Sequence, residues 1–189
     1  MTDKSKTFNS EELERQMELE QKVLQKHQRF NSLRHLVVGV IGPREATEPQ
    51  LEAAQHIGTQ LGKLGLTLIC GGKSGVMEAV SKGCREVGGT MIGILPDSQP
   101  DAANQYVDIP LPTGLGEARN MIIAKSARVL ISVGGSYGTL SEIAYGLHFS
   151  KPVIGIEGAP AIEGLIEAKD SKEAIQLALR SLLDMSARA

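Results

Sequence analysis

The sequence has few of the residues that mark extracellular, metal-binding or membrane proteins. Two cysteines, Cys70 and Cys84, in 189 residues are too few for a disulfide framework, which predicts a reducing compartment. The four histidines are scattered and form no Cys/His cluster, so we expect no metal site. No apolar run reaches about 18 residues and the chain starts with polar residues, which argues against a membrane span or secretory signal. We therefore predict a cytoplasmic protein with no membrane partner.

Aromatic residues and excess positive charge are also scarce. Aromatics make up 3% of the residues, and tryptophan is absent. Platforms for single-stranded nucleic acid depend on aromatic stacking, so this class is disfavoured. Twenty Lys and Arg against 22 Asp and Glu give a net charge of −2. Because nucleic-acid binding relies on a basic surface, we expect no nucleic-acid partner, although a small anion at a local site stays possible.

The composition changes near residue 34. Residues 10–30 are rich in Glu, Gln, Lys and Arg and contain neither Gly nor Pro, which predicts a helix that starts at Ser10. Its apolar stripe is narrow, so the helix either packs one edge on the body of the protein or lies on a partner subunit. We therefore divide the chain into a charged helical extension, residues 1–34, and one domain, residues 35–189.

The domain alternates short apolar runs with amphipathic segments. The runs at residues 36–41, 66–70, 90–95, 128–133, 152–156 and 165–168 are expected to be strands, with a further extended piece at 106–109. Helices are expected at residues 51–64, 74–87, 115–126, 139–149 and 171–183. Strands that are apolar on both faces and alternate with helices indicate an α/β protein with a single doubly wound parallel sheet. Ligands bind such sheets at the carboxyl ends of the strands.

Glycine is the abundant residue, with 21 copies, and it clusters at the predicted strand ends. Two turns, at residues 71–75 and 134–138, share the pattern Gly-Gly-x-x-Gly, and each opens a predicted helix. Helix N-termini present unpaired N–H groups, and glycine lets the backbone close around a phosphate. The alternative is that both turns need positive φ angles and bind nothing. We expect the phosphate or nucleotide to contact Gly42, Gly71, Gly72, Ser74, Gly134, Gly135, Ser136, Tyr137, Gly138 and Thr139.

Two common nucleotide motifs are absent. Residues 72–74 end like a Walker A loop, but Thr67 stands where that motif requires glycine. The first turn, residues 39–44, lacks the Gly-x-Gly-x-x-Gly fingerprint of dinucleotide-binding proteins. An ATPase and a standard NAD dehydrogenase are therefore poorly supported, and we expect no cofactor.

Two charged residues accompany the second glycine turn. Glu142 follows Gly138 by four residues, so its side chain can point back toward the glycine turn at the start of the helix. Arg119 lies near the start of the preceding predicted helix. An Arg beside a carboxylate at a phosphate loop suits anion capture with acid/base chemistry. We expect Arg119 and Glu142 to be catalytic. The alternatives are that Glu142 only compensates the helix dipole and that Arg119 lies on a solvated face or in an ion pair.

Residues 134–142 resemble the Gly-Gly-x-Gly-Thr-x-x-Glu signature of the Lonely Guy family, with one extra residue in the turn. The resemblance covers about residues 35–185. It extends to Rossmann-like nucleotide-binding proteins once labelled possible lysine decarboxylases. Family enzymes cleave cytokinin riboside 5′-monophosphates, and their catalytic Arg and Glu match Arg119 and Glu142. They read Glu-Arg-Lys where this chain has residues 118–120, Ala-Arg-Asn, so the chain is more similar to an uncharacterised branch.

The resemblance implies a nucleotide-binding protein that acts as a nucleoside 5′-monophosphate phosphoribohydrolase, releasing free base and ribose 5-phosphate. The alternative is a non-catalytic module that binds or senses a nucleotide. The segment 121–124, Met-Ile-Ile-Ala, makes its helix apolar on more than one face. Because such a helix needs cover from beyond its own sheet, we expect a homodimer or a higher homo-oligomer.

Overall fold

The computed structural model describes residues 12, 15–16, 18–23, 25 and 37–187. Residues 12, 15–16, 18–23 and 25 are helical, and Val23 is buried against the domain. The predicted boundary between residues 34 and 35 lies outside the described residues, as does most of the predicted stripe of the N-terminal helix.

Seven parallel strands form one sheet, in the order β4-β3-β2-β1-β5-β6-β7. Their bounds are β1 Val37–Ile41, β2 Thr67–Cys70, β3 Thr90–Leu95, β4 Ile109–Pro112, β5 Val129–Val133, β6 Val153–Ile156 and β7 Ile166–Glu167. Val38 in β1 pairs with Leu68 on one side and with Val129 on the other. The doubly wound parallel sheet with an N-terminal helix is thereby confirmed.

Within residues 37–187, five α-helices cover the sheet: α1 Glu48–Lys63, α2 Val76–Glu86, α3 Asn120–Ser126, α4 Tyr137–His148 and α5 Ser171–Ala187. The side chains of β1 alternate between two apolar cores. Val38 and Val40 pack with α1, α2 and α5, whereas Ile41 packs on the opposite face with residues of α3 and α4. Burial on both faces explains why these strands are apolar at almost every position.

Several predicted elements differ from the structure; the helix predicted at 51–64 begins at Glu48, and the one predicted at 171–183 extends to Ala187. Residues 115–126 do not form one helix, because a 3-10 helix, Gly116–Arg119, precedes α3. The extended piece predicted at 106–109 pairs only from Ile109 onward, as edge strand β4 with β3. Helix α4 begins at Tyr137, two residues before the predicted start, because Ser136 is its N-cap and accepts a hydrogen bond from the Thr139 N–H.

The direction of strand order reverses at β1. From β1 the sheet continues through β2 to one edge and through β5 to the other. The loops that follow β1 and β5 therefore leave a crevice at the carboxyl ends of the two strands, where doubly wound sheets bind ligands. Within the described residues, no helix is both long enough and apolar enough to cross a membrane.

Candidate ligand-binding site

A cleft of about 470 Å³ lies at this crevice, within the size range of small-molecule sites. Its walls come from the loop after β1, the 3-10 helix before α3, and the start of α4. The lining residues are Gly42, Pro43, Arg44, Glu45, Met77, Glu117, Arg119, Asn120, Gly135, Ser136, Gly138, Thr139 and Glu142.

The first turn of α4 forms one wall of the cleft. The Ser136 Oγ accepts from the Thr139 N–H at 3.3 Å and lies 3.0 Å from the Thr139 Oγ1. The Thr139 hydroxyl is thus engaged with the cap, and the residue is buried. The N–H groups of Tyr137 and Gly138 occupy the first two helical positions, which have no partner within a helix. This wall presents the positive end of the helix dipole to the cleft.

The glycines of the second turn differ in what they require. Gly134 has a φ of 68°, and a Cβ at Gly135 would come within 2.7 Å of the Pro160 ring. The backbone conformation at residue 134 and the packing at residue 135 therefore explain why both are glycine without a ligand. A Cβ at Gly138 would meet only the Ser136 Oγ, at an ordinary 3.8 Å. The fold does not require glycine at 138, although the residue lines the cleft, so this position suits close approach by a ligand.

Arg119 reaches the cleft from the end of the 3-10 helix. Its side chain is 4% exposed, and its Nε and one terminal nitrogen, NH1, are buried without a hydrogen-bond partner. A Cβ on Gly71 would collide with this guanidinium. Gly71 therefore makes room for Arg119 and does not line the cleft. Buried donors without partners are rare in native proteins, and an anion at this position would satisfy them.

Glu142 faces Arg119 from the second turn of α4. Its Oε1 lies 3.6 Å from the Arg119 NH1, and its side chain is 8% exposed. Burial raises the pKa of Glu142 to about 8, because the loss of hydration outweighs the attraction of Arg119, and the negative charge of Glu117 adds to the rise. The fold therefore favours the protonated carboxyl more than water does. Protonation of Glu142 would leave the positive charge of Arg119 for an anionic ligand.

Asn120 is a polar residue of the cleft that the sequence did not point out as a site residue. Its Nδ2 donates to the Ser141 Oγ at 2.8 Å and to the Gly138 carbonyl at 3.3 Å, so it ties α3 to the first turn of α4. Its Oδ1 is buried without a partner. The cleft thus holds an unsatisfied acceptor as well as unsatisfied donors, which suits a ligand that has both an anionic group and an N–H or O–H group.

Arg44 and Glu117 also line the cleft, and they too were not among the predicted site residues. The Arg44 NH2 lies 3.4 Å from the Glu117 Oε1. Glu117 directly precedes residues 118–120, where the Lonely Guy enzymes read Glu-Arg-Lys. Its pairing with Arg44 links positions 73 residues apart, and no sequence pattern indicates it.

The first glycine turn contributes little to the cleft. Lys73 donates to the Asp97 Oδ2 at 2.9 Å and to the Ala102 carbonyl at 2.8 Å. The Gly72 carbonyl accepts from the Asn104 N–H, and Gly72 has a φ of 70°. These contacts fasten the turn to the loop after β3. The predicted phosphate contacts that are not among the lining residues are Gly71, Gly72, Ser74, Gly134 and Tyr137.

Tyr137 and Ser74 do not line the cleft. Tyr137 is 94% exposed. The Ser74 Oγ donates to the Arg44 carbonyl at 3.4 Å. In the part of the chain that the structure describes, no three His, Cys, Asp or Glu side chains are grouped to hold a metal ion.

Comparison with known proteins identifies the family. The model of the SLOG cluster4 family matches residues 35–183, which are most of the domain. The chain belongs to the SLOG cluster4 family. This confirms the resemblance to the Lonely Guy group and to an uncharacterised branch within it.

Three relatives of this SLOG protein are similar over most of its length. A protein of Archaeoglobus fulgidus is 41% identical over 144 residues, which cover 76% of this chain and 95% of the relative. The molybdenum cofactor binding protein of Rippkaea orientalis is 34% identical, with a TM-score of 0.75, over 80% of this chain and 99% of that protein. The molybdenum cofactor (Moco) carrier protein of Chlamydomonas reinhardtii is 38% identical, with a TM-score of 0.72, over 80% and 99%.

Proposed function

We propose that this SLOG protein binds a phosphate-bearing small molecule of the molybdenum cofactor class in the Arg119 cleft, and carries it without chemical change. The observation that carries the proposal is the buried Arg119 guanidinium beside the N-terminus of α4, whose Nε and Nη1 have no hydrogen-bond partner. Similarity at 34–38% identity to proteins named for binding or carrying this cofactor supports the choice of ligand.

The residues of the cleft fit such a ligand. The phosphate group would lie at the Gly138 end of the cleft, where the N–H groups of α4 and the Arg119 guanidinium converge. The pterin portion of the cofactor carries N–H donors, which match the free Asn120 Oδ1. A cofactor of this class holds its metal through its own sulfur atoms, so the protein need not supply metal ligands.

The second candidate is the phosphoribohydrolase, and Glu142 favours it. A carboxyl group with a pKa of about 8 is poised to donate a proton near neutral pH. In that reaction the bond between the base and the sugar C1′ would break as Glu142 donates its proton to the departing base. Water would add to C1′, the resulting Glu142 carboxylate would take up the proton that this water releases, and Arg119 would hold the phosphate. A permanently ionised Glu142 would have a different role, because its negative charge would stabilise an oxocarbenium-like transition state. The protonated carboxyl carries no charge and acts as a proton donor instead.

One experiment separates the two candidates. The purified chain is incubated with molybdenum cofactor released from a molybdoenzyme, and separately with a panel of nucleoside 5′-monophosphates. After gel filtration, pterin fluorescence and molybdenum content report retention of the cofactor, and chromatography reports free base. Retention without base release supports the carrier. Base release that is lost in Glu142→Gln supports the hydrolase. If the protein neither retains the cofactor nor releases base, both candidates are contradicted.

A homodimer and a cytoplasmic location are further parts of the proposal. Met121 of α3 is 41% exposed, and Leu140 and Tyr145 of α4 are 37% and 36% exposed, so the α3–α4 face presents apolar surface that a second copy would cover. Light scattering at micromolar concentration tests the first point. A mass corresponding to two or more 20.2 kDa chains is expected, and the mass of a single chain would contradict it.

A further inference from the structure

The ion pair between Arg44 and Glu117 bridges the cleft. Arg44 lies in the loop after β1, and Glu117 lies in the 3-10 helix on the other wall. Both residues line the cleft, and the Arg44 NH2 lies 3.4 Å from the Glu117 Oε1. The pair therefore lies within the volume that a ligand has to enter.

The ion pair between Arg44 and Glu117 is exposed and can separate at little cost in free energy. The Arg44 side chain is 49% exposed and that of Glu117 is 66% exposed. Exposed pairs contribute little to stability because water and salt screen them and because ordering two long side chains costs entropy. Within the described residues, neither side chain has a second hydrogen bond that would hold it in place.

A carboxylate is a competitor for a phosphate at an arginine. Guanidinium groups bind both anions through the same pair of N–H donors. Glu117 therefore occupies one donor group of Arg44, the Nη2 amino group, that a bound phosphate would use, and its negative charge repels a phosphate in the cleft. Glu45 adds a second carboxylate to the lining, whereas burial raises the pKa of Glu142.

We propose that Arg44 is a second anion-binding residue of the cleft, and that the ligand's phosphate displaces Glu117 from it. This inference rests on the proposed function, because it needs a phosphate in the Arg119 cleft. Arg119 is the fixed anchor, held in a buried position, and Arg44 is the exchangeable one. Glu117 then lowers the affinity of the cleft, and it favours dianionic phosphate monoesters over monoanions, since a dianion competes better for Arg44.

The test is a double-mutant cycle. Wild type, Glu117→Gln, Arg44→Gln and the double variant are titrated calorimetrically with inorganic phosphate and with guanosine 5′-monophosphate at low, fixed ionic strength. Glu163→Gln, which removes an exposed carboxylate outside the cleft, is the control for net charge. Methyl-blocked guanosine 5′-monophosphate, a monoanion, tests the charge preference.

Glu117→Gln is expected to tighten binding about two- to five-fold, the equivalent of a surface ion pair. Arg44→Gln is expected to weaken it about ten-fold. In the Arg44→Gln background the gain from Glu117→Gln should fall to less than half. Equal or weaker binding by Glu117→Gln, or the same gain without Arg44, would overturn the exchange. Failure of wild type to bind either probe would instead contradict the phosphate site, and hence the proposed function.

Discussion

The Arg119 guanidinium and the Glu142 carboxyl face each other across 3.6 Å in the cleft, and both side chains are almost fully buried. The two groups form a buried ion pair in which burial raises the pKa of Glu142 to about 8. Protonation of this carboxyl would leave the positive charge of Arg119 uncompensated, which is the state that an anion would recognise.

The pH dependence of stability should reveal this carboxyl. A pKa raised from 4.5 to about 8 means that the folded state keeps a proton that the unfolded state releases. The free energy of unfolding should therefore fall as pH rises between these values, by up to about 1.4 kcal/mol per pH unit. Urea unfolding of wild type and Glu142→Gln from pH 5 to pH 8 measures the effect. The variant should lack this component, and equal slopes would mean that Glu142 is ionised at neutral pH.

Gly138→Ala should separate binding from stability. The added methyl group meets no protein atom closer than 3.8 Å, and alanine favours the helix by up to about 1 kcal/mol. The melting temperature should rise slightly while the affinity for phosphate falls about ten-fold, because the methyl group occupies the space of the ligand. Ala144→Gly, at an exposed position of the same helix, should lower stability and leave binding unchanged. Unaltered affinity in Gly138→Ala would place the phosphate elsewhere.

Gly135→Ala, unlike Gly138→Ala, should lower the stability of the protein. Its Cβ would lie 2.7 Å from the Pro160 Cδ, which predicts a loss of about 1–3 kcal/mol through overpacking. Pro160→Ala removes the opposing ring, so the double variant should recover part of the loss. Chemical denaturation of the four proteins measures this coupling. Strictly additive losses would show that the two residues do not press on each other.

Lys73→Met tests whether the first glycine turn binds the ligand. Lys73 is engaged with Asp97 and with the Ala102 carbonyl, so its loss should loosen the loop after β3. Phosphate affinity should stay within about two-fold of wild type, since a screened charge outside the cleft contributes little. Calorimetric titration gives the affinity, and proteolysis of the 96–104 loop gives the loosening. A ten-fold loss of affinity would assign Lys73 to the phosphate after all.

The sequence was sufficient for the sheet but not for the details of the cleft. The strands at Val37–Ile41 and Val129–Val133 are predictable because burial on both faces leaves a continuous apolar run. The break at Gly116–Arg119 was missed, since the apolar residues that follow it suggest one longer helix. The two glycine turns looked alike, yet only tertiary contacts decide their roles. Lys73 meets Asp97 at the first turn, whereas Gly138 at the second is open to the cleft.

The sequence predicts only some of the side-chain pairs of the cleft. Arg119 and Glu142 were predicted to lie close together because both follow strand ends. The contact of Arg44 with Glu117 and the unpaired Asn120 Oδ1 depend on how the two loops pack across the sheet. Residue order along the chain contains no local signal for either of them.

Retention of the molybdenum cofactor by wild type and by Arg119→Met tests the central claim most directly. The methionine keeps an unbranched side chain at a buried position but removes the guanidinium donors. After loading and gel filtration, wild type should retain the cofactor close to stoichiometrically, whereas the variant, shown to be folded by its melting curve, should lose most of it. Equal retention by both proteins, or none by wild type, would contradict the account.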